Sequence, residues 1–414
     1  MKKLLLILLC LPIIGFGQIW PKTVGNFSSE GLSIIQTSDG GFMIAGSYMD
    51  AAYLIKTNSN GIEQWNVTLP QSPVTNFTNI EQTSDNGYIV CGTIRNSTTP
   101  TNGSYKDAIV IKYDENGVEQ WRNMFNGSTN SCKCIKQNID GSYTVSGDQN
   151  YSPSTPGNYN DDANFLTKLD QYGNQIWTKR FFNISGFSFD KTNDGGYILW
   201  SGDSILIKSD GFGNELWRKS LNFFGSGYGD VTIKQTSDGG YIFVGEANSG
   251  AENIIKTDQY GIVEWTEELY LHNFYSLDYT SDGGSITIGD VDGGACFDLG
   301  KIIKKDLNGI TEWSYVFQDN YPECIEHLHS IKQTTDNGYI VCGWGTDSNF
   351  NERIFISKFN SLGGISSTFE ISLFLTKKTK KIVDVFGRET KELKNQPLFY
   401  IYDDGTVEKK IVIE

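Results

Sequence analysis

The sequence has 414 residues and a formal net charge of −15, with 13% aromatic residues, 45 glycines and 9 prolines. That length suffices for one large domain and a small additional one, and helix-type periodicity is nearly absent beyond the first residues. The acidic balance argues against nucleic acid and anionic membrane surfaces as partners, because like charges repel.

Residues 1–17 read MKKLLLILLCLPIIGFG, in which Lys2 and Lys3 precede an apolar core and small residues precede Gln18. This pattern is typical of a secretory signal peptide, and the apolar core is too short for a stable membrane span. Leu9, which is not a small residue, precedes Cys10, so we do not expect lipid attachment there. The sequence therefore predicts export and a mature protein without a membrane span.

Seven copies of one pattern follow. Each contains a turn such as SDGG, SDNG or NDGG, whose aspartates are spaced by 44 to 55 residues, at Asp39, Asp85, Asp140, Asp194, Asp238, Asp282 and Asp336. A segment such as SIIQT precedes each turn, and segments such as YIVCG and IVIKYD follow it. The first six copies then end in a tryptophan, at Trp65, Trp121, Trp177, Trp217, Trp265 and Trp313.

Each copy predicts four antiparallel strands. Asp-Gly and Asn-Gly supply the positive φ of a hairpin turn, and the Tyr, Ile, Val and Phe residues favour strands. One four-stranded unit cannot bury both of its faces alone, and periods of this length are typical of β-propellers. We therefore predict an all-β, seven-bladed β-propeller. A linear solenoid is the alternative, and it would need atypical capping repeats.

The seventh copy has no tryptophan. The segment GQIWPKTV near the N-terminus, with Trp20, resembles GNQIWTKRF around Trp177. We predict that the strand Ile19–Val24 completes the seventh blade and closes the ring, which removes a loose sheet edge. The alternative is that Trp20 is a chance aromatic.

The variation in length is confined to two kinds of connection, those between the second and third strands of a copy and those between copies. In a four-stranded meander these emerge at one end of the blades, the variable rim, and the tight turns lie at the other end, the plain rim. The inserts are Asn96–Lys106, Asp148–Asn164, Asp290–Lys301 and Trp344–Arg353. Because recognition usually resides in loops on a rigid scaffold, we predict that any ligand binds at the variable rim.

The candidate binding residues at this rim are aromatics that suit sugar stacking or partner anchoring, and carboxylates. They are Tyr151, Tyr159, Trp344 and Phe350, and Asp161, Asp162, Asp290 and Asp292. Solvated loop acids are the simpler interpretation of the carboxylates. Ca²⁺ is a weaker alternative, because no EF-hand spacing is present, and no other cofactor is expected.

No catalytic set can be assigned, because the sequence lacks a nucleophile elbow, an H-E-x-x-H motif and a phosphate-binding glycine loop. His327 and His329 form half of a conceivable metal site, although surface strand residues are the simpler interpretation. Cys91 and Cys342 share a strand position expected to be buried, whereas Cys296 and Cys324 lie in neighbouring loops and could form a disulfide. Cys132 and Cys134 are too closely spaced for an ordinary zinc site.

The tail leaves the repeat and ends in KKIVDVFGRETKELKNQPLFYIYDDGTVEKKIVIE. The residues that carry a family resemblance are Asp384, the run Gly387-Arg388-Glu389, Gly405 and the closing residues Lys409, Lys410 and 411–414. Through them, the tail resembles the type A C-terminal sorting domain of the type IX secretion system of Bacteroidota. The resemblance implies passage across the outer membrane by the secretion machinery, then removal of the tail and surface anchoring or release.

The sequence thus predicts a signal peptide (1–17), a propeller (18–362), a linker (363–376) and a sorting domain (377–414). The predicted function is binding of an extracellular glycan or protein, in the manner of an adhesin. The alternatives are a polysaccharide hydrolase and a quinoprotein-like enzyme, since propellers host both binding and catalysis. The spacing of Asp114 and Gly117 does not match quinoprotein repeats or the Asp-box of sialidases.

Overall fold

The computed structural model describes residues 20–26, 28–49, 51–69, 75–95, 106–125, 130–150, 162–182, 184, 187–224, 232–247, 252–292, 298–317, 325–346, 351–366, 379–384, 388–391, 397–402 and 407–411. The chain forms two compact units, of which one spans 19–366 and the other contains the C-terminal residues 367–414. Within the described ranges, no helix has the length and apolar character that a membrane span requires.

The larger unit is a seven-bladed β-propeller of antiparallel blades, as predicted. Blade 1 consists of β2 (Ser29–Gln36), β3 (Phe42–Tyr48), β4 (Ala51–Thr57) and β5 (Glu63–Thr68). Blade 2 consists of β6 (Thr75–Gln82), β7 (Tyr88–Arg95), β8 (Lys106–Tyr113) and β9 (Glu119–Phe125). Blade 3 consists of β10 (Asn130–Gln137), β11 (Tyr143–Asn150), β12 (Asp162–Leu169) and β13 (Gln175–Phe182). Blade 4 consists of β14 (Phe187–Lys191), β15 (Tyr197–Ser201), β16 (Ile205–Ser209) and β17 (Glu215–Ser220).

Blade 5 has its first strand in two pieces, β18 (Phe223–Phe224) and β19 (Ile233–Gln235), followed by β20 (Tyr241–Ala247), β21 (Glu252–Thr257) and β22 (Val263–Glu268). Blade 6 contains β23 (Asn273–Tyr279), β24 (Ser285–Asp292), β25 (Asp298–Lys305) and β26 (Thr311–Val316). Blade 7 contains β27 (Ile325–Gln333), β28 (Tyr339–Thr346), β29 (Glu352–Phe359) and, from the N-terminus, β1 (Lys22–Val24). We call the first strand of each blade its inner strand and the fourth its outer strand.

The prediction that the N-terminus closes the ring is confirmed for the described residues. Strand β1 pairs antiparallel with β29, with Thr23 opposite Phe355. Trp20 is buried and packs edge-to-face on Phe42 of blade 1, as Trp65 packs on Tyr88 one blade further. A linear stack is thereby excluded.

The tryptophans hold neighbouring blades together in one repeated way. Each covers a glycine in the turn between the third and outer strands of the next blade. A Cβ built on Gly117 would lie 2.8 Å from Trp65, and one built on Gly61 would lie 2.7 Å from Trp20. These glycines also have positive φ, +79° at Gly117, so both the backbone and the close approach of the indole require glycine.

The tight turns differ slightly from the prediction. In blade 1 the amide of Gly40 donates to the carbonyl of Thr37, and the amide of Thr37 donates to the carbonyl of Gly41. The positive φ falls on one residue per turn, which is Gly40 in blade 1 and Asn86 in blade 2. This is a longer hairpin turn with a glycine-type bulge rather than a two-residue turn.

Each turn aspartate pairs with a lysine of the third strand, in all seven blades. In blade 2, Lys112 Nζ lies 2.9 Å from Asp85 Oδ2 and also donates to the carbonyl of Tyr113 and to Gln120 Oε1. The Lys112 side chain is only 2% exposed, whereas the Asp85 side chain is 54% exposed. The other six pairs are Lys56–Asp39, Lys168–Asp140, Lys208–Asp194, Lys256–Asp238, Lys304–Asp282 and Lys358–Asp336.

These contacts lower the pKa of the turn aspartates. Partial burial alone would raise it, but hydrogen bonds from the lysine, from a hydroxyl two residues away (Ser142 for Asp140, a preceding threonine in the other blades) and from a backbone amide outweigh that effect. The pKa falls to about 2 in Asp39, Asp140 and Asp238. The aspartate of the repeat is therefore both a turn residue and the partner of a buried charge.

Glutamines at the ends of inner strands connect the blades at the plain rim. The side chain of Gln82 accepts a hydrogen bond from the amide of Ser38 in the preceding blade (2.8 Å). The same contact joins Gln36 to Thr335 (2.8 Å) and so ties blade 7 to blade 1. The ring is thus joined at the plain rim as well as by β1.

The insert boundaries predicted for blades 3, 6 and 7 are too wide. Strand pairing continues into them, with Asp148 opposite Asn164, Asp290 opposite Gly300, and Trp344 opposite Ile354. The reason is that both sides of each insert stay in antiparallel register for several residues beyond the apolar core. Asp290 and Trp344 are therefore strand residues.

The C-terminal unit contains a three-stranded antiparallel sheet of β30 (Thr379–Val383), β31 (Pro397–Tyr402) and β32 (Val407–Ile411). Val383, Leu398 and Tyr400 are buried among its described residues, and Ile382 packs against Leu398 and Tyr400. Asp384 receives hydrogen bonds from the backbone amide and the guanidinium of Arg388, at 3.0 and 2.9 Å.

Candidate binding site on the propeller axis

The inner strands line a channel along the propeller axis, because residues from all seven of them surround one cavity. In blades 1, 2, 3, 6 and 7 the inner strand carries a β-bulge before its central residues. A bulge redirects a side chain without ending the strand. The bulged residues form the tier nearest the variable rim, which we call the bulge tier: Leu32, Thr78, Lys133, Tyr275 and His329.

Two further tiers follow toward the plain rim, because alternate residues of a strand point to the same side. The polar tier contains small residues with hydrogen-bonding groups, and all seven line the cavity: Ser33, Asn79, Cys134, Ser188, Thr232, Ser276 and Ser330. The charge tier, two residues further along each strand, is Ile35, Glu81, Lys136, Asp190, Lys234, Asp278 and Lys332.

The charge tier alternates acid and base around the ring. Lys136 lies 3.7 Å from Asp190, Lys234 lies 3.6 Å from Asp278, and Lys332 lies 3.9 Å from the same Asp278. A ring of seven cannot alternate completely, and the uncharged Ile35 occupies the odd position between Lys332 and Glu81. The arrangement avoids direct like-charge neighbours, which would be costly in a partly buried channel.

The acids of this tier also bind the backbone of the next blade. Asp190 accepts a hydrogen bond from the amide of Gln235 (3.2 Å), and Asp278 accepts one from the amide of Gln333 (3.1 Å). Glu81 does the same with Gln137. The carboxylates therefore turn toward the sheet and link blades 2 to 3, 4 to 5 and 6 to 7.

The channel shifts the pKa values of its charged groups. Burial lowers the pKa of Lys332, and the charges of Lys234 and Lys136 lower it further, so that it is about 8 despite the attraction of Asp278. Burial would raise the pKa of Asp278, but Lys332, Lys234 and the amide of Gln333 lower it. In Lys136, Asp190 outweighs burial and the pKa is raised.

A second polar cluster lies where blades 6 and 7 meet, toward the variable rim. The hydroxyl of Tyr275 and Nδ1 of His327 lie 2.6 and 3.0 Å from Oδ2 of Asp290. Asp290 is fully buried, and its Oδ1 atom has no hydrogen-bond partner among the residues that the structure describes. The rings of His327 and Trp344 lie 5.2 Å apart. The cluster presents an imidazole and an indole, held from below by a buried carboxylate.

His329 connects this cluster to blade 1. Its Nε2 atom lies 2.7 Å from Oε1 of Glu30, and its ring contacts that of Tyr275 at 5.4 Å. Burial would raise the pKa of Glu30, but the hydrogen bond and charge of His329, with the charge of His327, lower it. Tyr275, Asp290, His327, His329, Trp344 and Glu30 thus form one continuous group, the rim cluster.

The structure brings together two of the predicted binding residues, Asp290 and Trp344, with the two histidines. The expectation that Asp290 is a solvated loop acid is wrong, because Tyr275 and His327 cover it. Asp292 is 93% exposed and lies 3.4 Å from His272. Asp162 begins β12, but its side chain is not described; Tyr151, Tyr159, Asp161 and Phe350 lie outside the described residues.

Among the described residues, no group of three or more His, Cys, Asp or Glu side chains could hold a metal ion. Cys91, Cys132, Cys134 and Cys342 are buried, as expected for Cys91 and Cys342. The loops of Cys296 and Cys324 fall outside the described part of the chain.

In the tail, Arg388 is described, Lys409 and Lys410 lie in β32 without described side chains, and Gly387 and Gly405 are not described.

Sequence reasoning missed the channel residues and the lysines of the turns. The lysines had a clear signal, since IKT, IKY and TKL place one lysine in each third strand. The charge tier also had a signal, because the third residue of SIIQT, NIEQT, CIKQN, SFDKT, TIKQT, SLDYT and SIKQT alternates in charge from the second copy onward. That signal is visible only when the copies are compared as members of a closed ring.

Comparisons with known proteins support the fold. No protein-family model matches the chain, and no curated protein matches its sequence. Among solved structures, YCF48 bound to D1 peptide is similar at a TM-score of 0.51 and 12% identity, covering 84% of this chain and 98% of that one. The Dos1 propeller is similar at a TM-score of 0.51 and 10% identity, covering 96% and 98%. A Bacteroides caccae protein of unknown function has a TM-score of 0.39 and 14% identity, covering 58% and 82%. At their identities, the similarity to YCF48 and to the Dos1 propeller shows a shared β-propeller fold.

Proposed function

We propose that this protein is an exported binding propeller that recognises an extracellular glycan or protein at its variable rim. One observation carries the proposal: chemically diverse side chains gather at the variable-rim end of the channel, whereas the plain rim repeats one turn design seven times. The rim cluster offers an indole and imidazoles for stacking, and the buried carboxylate of Asp290 holds the His327 ring that packs on Trp344. The solved structure of YCF48 with D1 peptide supports peptide binding as a use that this fold allows.

We further propose that the C-terminal unit directs secretion through the type IX system, with the leader 1–17 directing passage across the inner membrane. Support comes from the tail motif and from the separate small sheet, in which Arg388 and Asp384 of the motif hold one turn. The mature propeller would then reside on the outer cell surface or in the medium. It does not require a cofactor for this role.

Binding is tested with glycan arrays and protein pull-downs on the purified protein. Trp344→Ala is expected to reduce binding about tenfold or more, as expected for loss of an aromatic anchor. Phe212→Ala is the matched control, because Phe212 is 71% exposed on a plain-rim turn. Loss of binding in the control alone would contradict the proposal. So would hydrolysis of a polysaccharide panel that Asp161→Ala or Asp292→Ala abolishes.

Secretion is tested by expressing the chain with and without residues 377–414 in a Bacteroidota host that has a type IX system. The full chain is expected on the cell surface or in the medium, and the truncated chain in the periplasm. Arg388→Ala tests the contact between Arg388 and Asp384 of the motif. Equal export of the full and truncated chains would contradict the role of the tail.

A further inference from the structure

The cavity on the propeller axis is lined by hydrogen-bond donors. Four ammonium groups border it, those of Lys133, Lys136, Lys234 and Lys332, together with the seven residues of the polar tier. None of its lining residues is acidic. The three carboxylates of the charge tier instead accept backbone amides of the adjacent blades. The cavity is therefore positive although the charge tier is neutral.

The ammonium groups of these four lysines make no hydrogen bond to any described residue. Lys136, Lys234 and Lys332 form ion pairs of 3.6 to 3.9 Å, which are longer than hydrogen bonds. Lys133 forms no ion pair within the described part of the chain. A partly buried ammonium without acceptors is unfavourable. The lysines therefore need acceptors that come from inside the cavity.

The polar tier also has donors to offer, because backbone amides occupy its acceptors. The amide of Ile135 donates to Oδ1 of Asn79 (3.1 Å), which leaves the NH₂ group of Asn79 as a donor. The amide of Ile34 donates to Oγ of Ser330 (3.4 Å), which leaves that hydroxyl hydrogen to donate. Both side chains line the cavity.

We propose that the channel binds a small oxyanion, of the class of phosphate or sulfate, at the level of the polar tier, with Lys133 of the bulge tier on one side and Lys136 and Lys332 of the charge tier on the other. Lys133, Lys136 and Lys332 supply the charge, and Asn79 and Ser330 supply neutral donors. Four lysines against three carboxylates leave one positive charge for the anion to neutralise. This site does not rest on the proposed function, because its residues come from the propeller core.

The dimensions of the cavity limit the ligand. Its volume of about 50 Å³ has room for a few water molecules, which is far less than a drug-sized ligand needs. The anion is thus either a free inorganic ion or the anionic end group of a larger molecule that enters from the variable rim. The lowered pKa of Lys332 agrees with this, since burial first, and then the charges of Lys234 and Lys136, disfavour its charged form, which a bound anion would favour.

Isothermal titration of the purified protein with inorganic phosphate and with sulfate tests the site. The buffer contains no other oxyanion, and sodium chloride holds the ionic strength constant. We expect saturable one-site binding, and Lys133→Met and Lys332→Met should each raise Kd roughly tenfold, as for loss of one charged hydrogen bond. Lys219→Met is the matched control, because Lys219 lies on an outer strand, and it should leave Kd unchanged.

A second arm compares a sulfated oligosaccharide with its desulfated form. Competition between the sulfated form and phosphate would support binding of an anionic end group, and phosphate binding alone would support a free ion. Circular dichroism confirms that each variant is folded. The proposal is overturned if neither ion nor sulfated sugar gives saturable heat at millimolar concentrations, or if Lys133→Met binds phosphate as the wild type does.

Discussion

Lysines occur in two regions of this propeller and are bonded in opposite ways. At the turns, Lys56 donates to both oxygens of Asp39, to the carbonyl of Thr57 and to Gln64. On the axis, the one ionic partner of Lys332 among the described residues is the carboxylate of Asp278, 3.9 Å away. The turn site is complete within one blade, and so each blade can use the same residues. The channel site depends on neighbouring blades, and so its residues vary around the ring.

The comparison separates structural charge from charge that is available to a ligand. A lysine whose hydrogen bonds are all made inside one blade contributes stability and cannot bind anything further. A lysine that faces its neighbours across a cavity has bonding capacity left. The same residue type therefore serves the fold at the plain rim and, in our proposal, recognition on the axis.

Acid should break the turn sites in all blades together, and this is the largest effect we expect. The folded-state pKa is about 2 in Asp39, Asp140 and Asp238, against an ordinary value of 3.8. Between these values the unfolded chain binds more protons, so the free energy of unfolding falls as pH falls. The urea midpoint should be constant above about pH 5 and decrease toward pH 2. A midpoint that does not change between pH 4 and pH 2 would contradict this account.

Removing one turn aspartate should be costly where no second carboxylate replaces it. Asp85→Ala leaves the buried Lys112 with neutral partners and should reduce the free energy of unfolding by about 3 kcal/mol. Asp282→Ala is the matched comparison, because Glu312 stays 2.9 Å from Lys304, and the loss should be about half as large. Urea unfolding of both variants measures the difference. Equal losses would show that the second carboxylate does not compensate.

Removing a channel acid should cost less and should make the protein depend on an anion. Asp278→Asn keeps an acceptor for the amide of Gln333 but removes the charge near Lys234 and Lys332. We expect a loss of about 1 kcal/mol, because these ion pairs are long and partly exposed. Phosphate should raise the melting temperature of this variant more than that of the wild type. The same increase in both proteins would argue against the channel as the site of the effect.

Removing a channel lysine should have the smallest effect on stability. Lys332→Met relieves repulsion from Lys234 and Lys136 and leaves Asp278 with Lys234. The free energy of unfolding should change by less than about 0.5 kcal/mol in buffer without oxyanions. Lys112→Met, at a saturated turn site, is the contrast and should be clearly destabilising. If the two variants lose equal stability, the distinction between the two sets of lysines fails.

The fold could be predicted from the sequence because its determinants repeat. Turn glycines, apolar strands and the tryptophans recur in register, and the resemblance of GQIWPKTV to a repeat end located the strand that completes blade 7. Those features are local, so a single copy is enough to interpret them. The ring was then the arrangement that buried every blade on both sides.

The channel could not be predicted in the same way. Tyr275, Asp290 and His327 come from three strands and meet only because two blades are adjacent and β27 is bulged. Asp290 falls in a predicted insert because the length of the copies varies there, whereas strand pairing continues through it. A bulge changes which residues face the axis, and no residue type marks it. The sequence repeat also does not show how close the strands of two different blades lie to each other.

The pairing of Thr23 with Phe355 has a consequence for biogenesis. These two residues are separated by most of the chain. A polypeptide made from its N-terminus therefore contains β1 long before its pairing partner β29 has been made. Until the last blade is complete, blade 1 lacks the neighbour that buries Ile34 and Tyr53. Any partner that shields this exposed flank, or any delay in making the last blade, therefore acts on the whole toroid at its final step.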